Sequence, residues 1–107
     1  MRKITLIPGD GIGQEVILGT KDIIDSLNLE IEWDIISNPM DDKTKKISSE
    51  LEKSLSITKV GLKGPLTTPV GEGFRSINVE IRKRFELFAN FRPIKTLQGF
   101  KTNYKDL

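Results

Sequence analysis

The chain contains neither cysteine nor histidine among its 107 residues. The first absence excludes disulfides and thiolate chemistry, which suits a reducing compartment. The second removes Ser-His-Asp and Cys-His catalysis, Cys/His zinc sites, and the one side chain whose unperturbed pKa lies near neutrality. The apolar run in the opening "MRKITLIPGDG" is too short for a secretory signal, and no later stretch approaches the length of a membrane span. The expectation is therefore a cytoplasmic protein with no membrane partner. Nor is the charge lopsided: 17 Lys and Arg stand against 15 Asp and Glu, a net +2, without the broad basic field that nucleic-acid ligands require. Lys43, Lys45 and Lys46 cluster, but Asp41 and Asp42 precede them and Glu50 and Glu52 follow. That mixture reads as a solvated surface turn, and nucleic acid is not an expected partner.

What is present is an alternation of strand and helix. "KITLI", Lys3 to Ile7, is a β-branched run stopped by Pro8 and Gly9. Val16, Thr20, Ile23, Ile24 and Leu27 then fall at a spacing that gathers them on one helical face, with Asn28 as the stop. In "LEIEWDII", Leu29, Ile31, Trp33 and Ile35 alternate with acidic residues, which predicts a half-exposed or edge strand. Ser49 with Glu52 three residues on resembles a capping box before a short helix carrying Leu51 and Leu55. "ITKVGL", Ile57 to Leu62, predicts a third strand and "LFANFRPI", Leu87 to Ile94, a fourth ended by Pro93. Helical crossovers between strands imply a parallel α/β layer in a single domain, residues 1–107. Apolar surface beyond the last strand would be left for something else to cover.

Two loops carry the candidate chemistry. "IPGDGIGQEV" places Gly9, Gly11 and Gly13 between a strand and a helix, but the third glycine of a G-x-G-x-x-G fingerprint would fall at Gln14, and no Gly-Lys-Ser/Thr follows. The glycines allow close approach of either a ligand or a neighbouring strand. The second loop, "KGPLTTPVGEGF", leads into a helix opened by Ser76. As a helix cap, Ser76 would accept a hydrogen bond from a first-turn N–H. Asn78 and Arg82, four residues apart, share a helical face, and an N-terminal helix end already favours negative charge, so a carboxylate or phosphate site is the alternative role. Arg92 lies inside an apolar run, where an ion pair with a carboxylate, a snorkelling stem or a bound ligand would account for it.

Taken together, "ITLIPGDGIGQEV", "KGPLTTPVGEGFRSINVEIRK" and "LFANFRPI" resemble the β-decarboxylating dehydrogenases, the family of isocitrate and isopropylmalate dehydrogenases. The resemblance covers nearly the whole chain apart from Ser37 to Ile57, and is closest to the NAD-linked isocitrate enzymes. It implies a partial layered fold, the N-terminal βαβ units of the family's parallel sheet and not a Rossmann fold. It also implies a tricarboxylate substrate oxidised by NAD or NADP and decarboxylated with the help of Mg2+ or Mn2+. By this matching Ser76, Asn78, Arg82 and Arg92 bind the substrate's carboxylates, and Ile12, Lys63, Leu66, Thr67 and Thr68 lie along the cofactor. Several carboxylates need several donors, and a charge-assisted hydrogen bond is about twice as strong as a neutral one.

Such enzymes are dimers or larger, and a homo-oligomer is expected of the complete protein. Their chains continue into an Arg-Glu-Asn motif, a catalytic tyrosine and lysine, and metal-binding aspartates, none of which has a counterpart before Leu107. Tyr104 stands ahead of the catalytic position. The expectation is an N-terminal segment that binds without catalysing: a truncated reading frame, a fragment, or one piece of a split enzyme. The alternatives are the same segment of an isopropylmalate or related 2-hydroxy acid dehydrogenase, a free-standing module that binds polycarboxylates or phosphorylated ligands without catalysis, or a non-functional remnant whose sheet lacks partner strands.

Overall fold

The computed structural model describes residues 1–67 and 76–103. Within them run β1 (Arg2–Ile7), α1 (Ile12–Ser26), β2 (Ile31–Ile35), α2 (Ser49–Thr58), β3 (Gly61–Lys63) and α3 (Ile77–Arg84). The three strands form one parallel sheet in the order β2-β1-β3. β1 is therefore central, and its second half, Thr5, Leu6 and Ile7, is buried.

Successive side chains of a strand point to opposite faces, and β2 shows which helix covers which face. Trp33 donates its indole N–H to Asp25 of α1 at 2.8 Å. Asp34, the next residue, accepts a hydrogen bond from Ser54 of α2 at 2.7 Å. The two crossover helices thus cover opposite faces, as parallel connections require. On the α2 side, Ile7, Ile36, Leu51 and Ile77 make a buried cluster, with Leu55, Leu66 and Ile81 packed against it. α3 is further tied to α2 by an exposed ion pair, Arg84 with Glu52.

The α/β class holds, with several local corrections. The buried positions of α1 are Gly13 and Ile17, whereas Val16, Ile23 and Leu27 of the expected apolar face are exposed. Gly13 sets that rotation, because a side chain there would strike the Pro65 carbonyl; backbone proximity outweighs the count of apolar residues. The cap of α2 is Ser48 instead of Ser49, its hydroxyl accepting from the Leu51 N–H at 3.2 Å. Ile57 and Thr58 belong to α2, not to a third strand. Lys59 ends that helix in the left-handed region at φ 58°, leaving only Gly61–Lys63 extended.

The expected fourth strand is absent. Glu86 turns the chain at φ 51° after α3, and residues 87–94 lie outside regular structure. Among the described residues β3 pairs only with β1, and a strand without a partner leaves its backbone groups to water. Phe88, at 101% relative exposure, stands in solvent together with Phe91, Ile94, Leu97 and Phe100. Lys43, Lys45 and Lys46 sit at the exposed tip of a loop. Asp41 shapes that tip, accepting the N–H groups of Lys43 and Thr44 at 2.8 and 2.9 Å.

Candidate functional site

The sheet order brings the two candidate loops together. From β1 the chain crosses to one side through α1 and returns past β1 to the other through α2, so the connections diverge at the carboxyl end of β1. Open α/β sheets bind ligands at such a point. Here it holds the loop after β1, Pro8 to Gly11, and the loop after β3, Gly64 to Thr67.

Glycine is required at both sides of this contact. A Cβ on Gly9, which sits at φ +86°, would lie 2.2 Å from the Pro65 carbonyl oxygen, and one on Gly64 would lie 2.2 Å from that of Pro8. The Asp10 N–H donates to the Pro65 carbonyl at 3.1 Å, and the Gly64 N–H to that of Ile7 at 2.8 Å. The Asp10 carboxylate in turn accepts the Thr67 N–H at 2.9 and 3.0 Å and the Thr67 hydroxyl at 2.7 Å. Those bonds from Thr67, side chain first and backbone second, hold the Asp10 carboxyl below the usual carboxylate range, with the Lys63 charge adding in the same direction. Partial burial pushes the Lys63 ammonium down, against the opposing pull of Asp10.

Beside the clasp lies a crevice of about 240 Å3, walled by Gly9 and Asp10, by Ser37 and Asp42 from the loop after β2, by Leu66 and Thr67, and by Ile77 at the start of α3. Its volume is below the ~300–1,000 Å3 of a site for a whole drug-sized ligand.

Of the residues matched to the cofactor, Leu66 and Thr67 wall this crevice. Ile12 follows the first loop and is 71% exposed. Lys63 stands at the end of β3 with its ammonium donating to the Gly64 carbonyl at 2.6 Å. It faces an apolar groove shared with Leu55, Ile81 and Phe85. Thr68, with the rest of its loop to Arg75, lies outside the described residues.

On the substrate side, Ser76 caps α3, its hydroxyl accepting from the Asn78 N–H at 3.3 Å. Asn78 is half-buried and Arg82 exposed on the same helix. Arg92 is not inside a strand. It lines a separate groove with Ile94, Leu97 and Phe100, and none of Ser76, Asn78 and Arg82 borders that groove. The structure thus unites part of the cofactor set and places Ser76, Asn78 and Arg82 on one helix, with Arg92 elsewhere. Among the described residues no three Asp or Glu side chains are grouped to hold a metal ion.

Asp10 is the residue that sequence reasoning passed over. The available signal was an acid between two loop glycines, a position where a carboxylate meets backbone N–H groups.

A parallel sheet with paired glycine loops at its switch point and a Ser-x-Asn-x-x-x-Arg helix beside them defines an open α/β protein class with a crevice at the strand ends. Comparison with known families makes the assignment specific. The model of the isocitrate/isopropylmalate dehydrogenase family matches residues 3–107, and the chain belongs to that family. It is 45% identical to the alpha chain of a probable NAD isocitrate dehydrogenase, mitochondrial, of Drosophila melanogaster, over 99% of this chain and 29% of that protein. It is 42% identical to the NAD isocitrate dehydrogenase subunit 2, mitochondrial, of Saccharomyces cerevisiae, over 97% of this chain and 29% of that one. The crystal structure of isocitrate dehydrogenase from Methylococcus capsulatus superposes with a TM-score of 0.83 at 38% identity, covering 99% of this chain and 32% of that chain. The chain thus spans less than a third of the length of each of these relatives. The expected cytoplasmic location is overturned, since both eukaryotic relatives are named as mitochondrial. Lack of cysteine excludes disulfide dependence but does not choose among reducing compartments.

Proposed function

We propose that residues 1–107 are one partial α/β domain, the N-terminal segment of an NAD-linked isocitrate dehydrogenase subunit. The segment supplies binding groups to a larger, oligomeric enzyme and does not turn over substrate alone. The observation that carries this is the clasp between the Gly9–Gly11 and Gly64–Thr67 loops at the carboxyl ends of β1 and β3, in a chain of this family. In this reading Ile12, Lys63, Leu66, Thr67 and Thr68 hold the nicotinamide end of NAD. The cofactor, when bound, accepts the hydride from the substrate's hydroxyl carbon. Ser76, Asn78 and Arg82 offer a hydroxyl, an amide and a guanidinium to the substrate carboxylates, and Arg92 reaches them when the segment after α3 is repositioned in the assembled enzyme. The divalent metal of the complete enzyme draws on groups outside the described residues.

One observation favours the isopropylmalate branch instead. The groove beside Arg92 is walled by Ile94, Leu97 and Phe100, a lining that suits an alkyl branch better than a third carboxylate. Isothermal titration of the chain with isocitrate and with 3-isopropylmalate separates the two. Preferential binding of isocitrate, weakened about tenfold or more by Arg82→Ala in keeping with the loss of a charge-assisted bond, is the expected result. A preference for isopropylmalate moves the chain to the other branch, and flat traces from a folded protein refute substrate binding by this segment.

A further inference from the structure

The outer edge of β3 is open. The Thr5 N–H donates to the Val60 carbonyl at 3.0 Å and the Gly64 N–H to that of Ile7 at 2.8 Å, so the residues flanking this short strand bond to β1. In a parallel ladder, residues bonded to one neighbour alternate with residues turned the other way. The N–H and C=O groups of Gly61 and Lys63 therefore point away from β1, and among the described residues no strand meets them. Against this edge runs a groove of about 370 Å3 formed by Leu55 of α2, Ile81 of α3, and Phe85 and Leu87 just after it. An open edge with an apolar groove beside it is a template for a further strand.

The chain carries such a strand and holds it elsewhere. In residues 87–94 an extended backbone would place Leu87, Ala89 and Phe91 on one face and Phe88 and Ile94 on the other, the pattern of a strand covered on both sides. Leu87 borders the groove, but Phe88, Phe91 and Ile94 are exposed. The turn after α3 directs them into solvent: the Leu87 N–H is tied to the Arg82 carbonyl at 2.9 Å, and Glu86 is held at φ 51°. That is the left-handed region, disfavoured for a residue with a side chain, and straightening the chain relieves it.

We propose that two copies of this chain exchange residues 87–94, each segment pairing with the β3 edge of the other copy and setting Phe91 into its groove. The exchange does not depend on what the crevice binds. Every copy brings one open edge and one unused strand, so a reciprocal swap about a two-fold axis satisfies both and closes. Charge permits it, because Lys59 and Lys63 at the groove meet only uncharged side chains from Leu87 to Phe91. Area suffices as well. Phe88 and Phe91 of both copies bring roughly 600–1,000 Å2, and the surface that they cover adds a comparable amount, within the ~1,200–2,000 Å2 of a stable interface.

Sedimentation velocity of the full chain over a wide range of concentration should show a monomer–dimer equilibrium. Phe91→Asp, at an exposed position that leaves the core of each copy untouched, should weaken the dimer by about thirtyfold or more, the loss of a central aromatic anchor. Isotope-filtered NMR on differently labelled copies refolded together then locates the contact. Cross-peaks between the Phe91 ring of one copy and the Leu55 and Ile81 methyl groups of the other are the expected result. A monomer at every concentration overturns the exchange. The same cross-peaks confined to single copies also overturn it, since the segment then closes on its own chain. So does a dimer indifferent to Phe91→Asp, since another face then joins the copies.

Discussion

Asp10 and Thr67, 57 positions apart in sequence, close the crevice by a contact in which one carboxylate takes both the N–H and the hydroxyl of one residue. Because only the ionised form accepts all of these bonds, the contact is linked to pH. The folded state lowers the Asp10 pKa, so the contribution is fully present above the unfolded value of about 3.9 and is lost as pH falls through the folded value. Asp25, lowered mainly by its bond from Lys21 and then by that from Trp33, and Asp41, lowered by N–H bonds from Thr44 and Lys43, act in the same direction. Thermal midpoints followed by circular dichroism from about pH 2 to about pH 6 should fall with acid in the wild type and less steeply in Asp10→Asn. Parallel curves for the two proteins would mean that the clasp does not couple to folding.

Two glycines should respond to alanine with opposite signs. At Gly64 the added carbon meets the Pro8 oxygen at 2.2 Å and Ile17 Cγ1 at 2.6 Å. The backbone partner cannot swing aside, so Gly64→Ala separates the two loops and should cost about 1–3 kcal/mol or more. Gly19, inside α1, has nothing within 4 Å of such a carbon, and Gly19→Ala should stabilise by about 0.5–1 kcal/mol through helix propensity. Urea unfolding of both variants, with Trp33 as the fluorophore, checks the pair. A neutral Gly64→Ala would show that the loops part without cost.

Much of this architecture is legible in residue order, and the departures share one cause. The half-exposed strand around Trp33, the stop at Asn28 and the Ser76 cap all rest on local patterning, and each stands in the structure. The buried face of α1 departs from the apolar count because it is set by the contact of Gly13 with Pro65, a partner 52 positions away. "LFANFRPI" has the composition of a strand, yet pairing is a property of two segments, and Leu87 to Ile94 has no described partner strand. The same holds for the site. Glycines announce a close approach without saying to what, and the acid between them shows its use only once β1 and β3 are side by side.

The least expected feature of the core is a line of hydroxyls through it. Ser54 gives its only proton to Asp34 at 2.7 Å, so in the 2.7 Å contact between Thr5 and Ser54 the donor is Thr5. Thr58 then donates to Thr5 at 2.7 Å, sharing its proton with the more distant Val60 carbonyl at 3.1 Å. The line joins α2 to the central strand and to the edge strand, and Thr5 at its middle is 0% exposed. Thr5→Val keeps the shape but leaves Ser54 and Thr58 each short of a partner, in a place where water does not reach Ser54. That loss should cost about 1–3 kcal/mol. Ser54→Ala alone should cost a similar amount, because Thr5 and Asp34 then face an empty position. If the chain of bonds acts as a unit, the double variant is much less damaging than the sum, with a coupling of about 0.5–3 kcal/mol in a double-mutant cycle measured by urea unfolding. Strict additivity of the two substitutions would reduce the line to independent contacts and leave apolar packing around Leu51 as what joins α2 to the sheet.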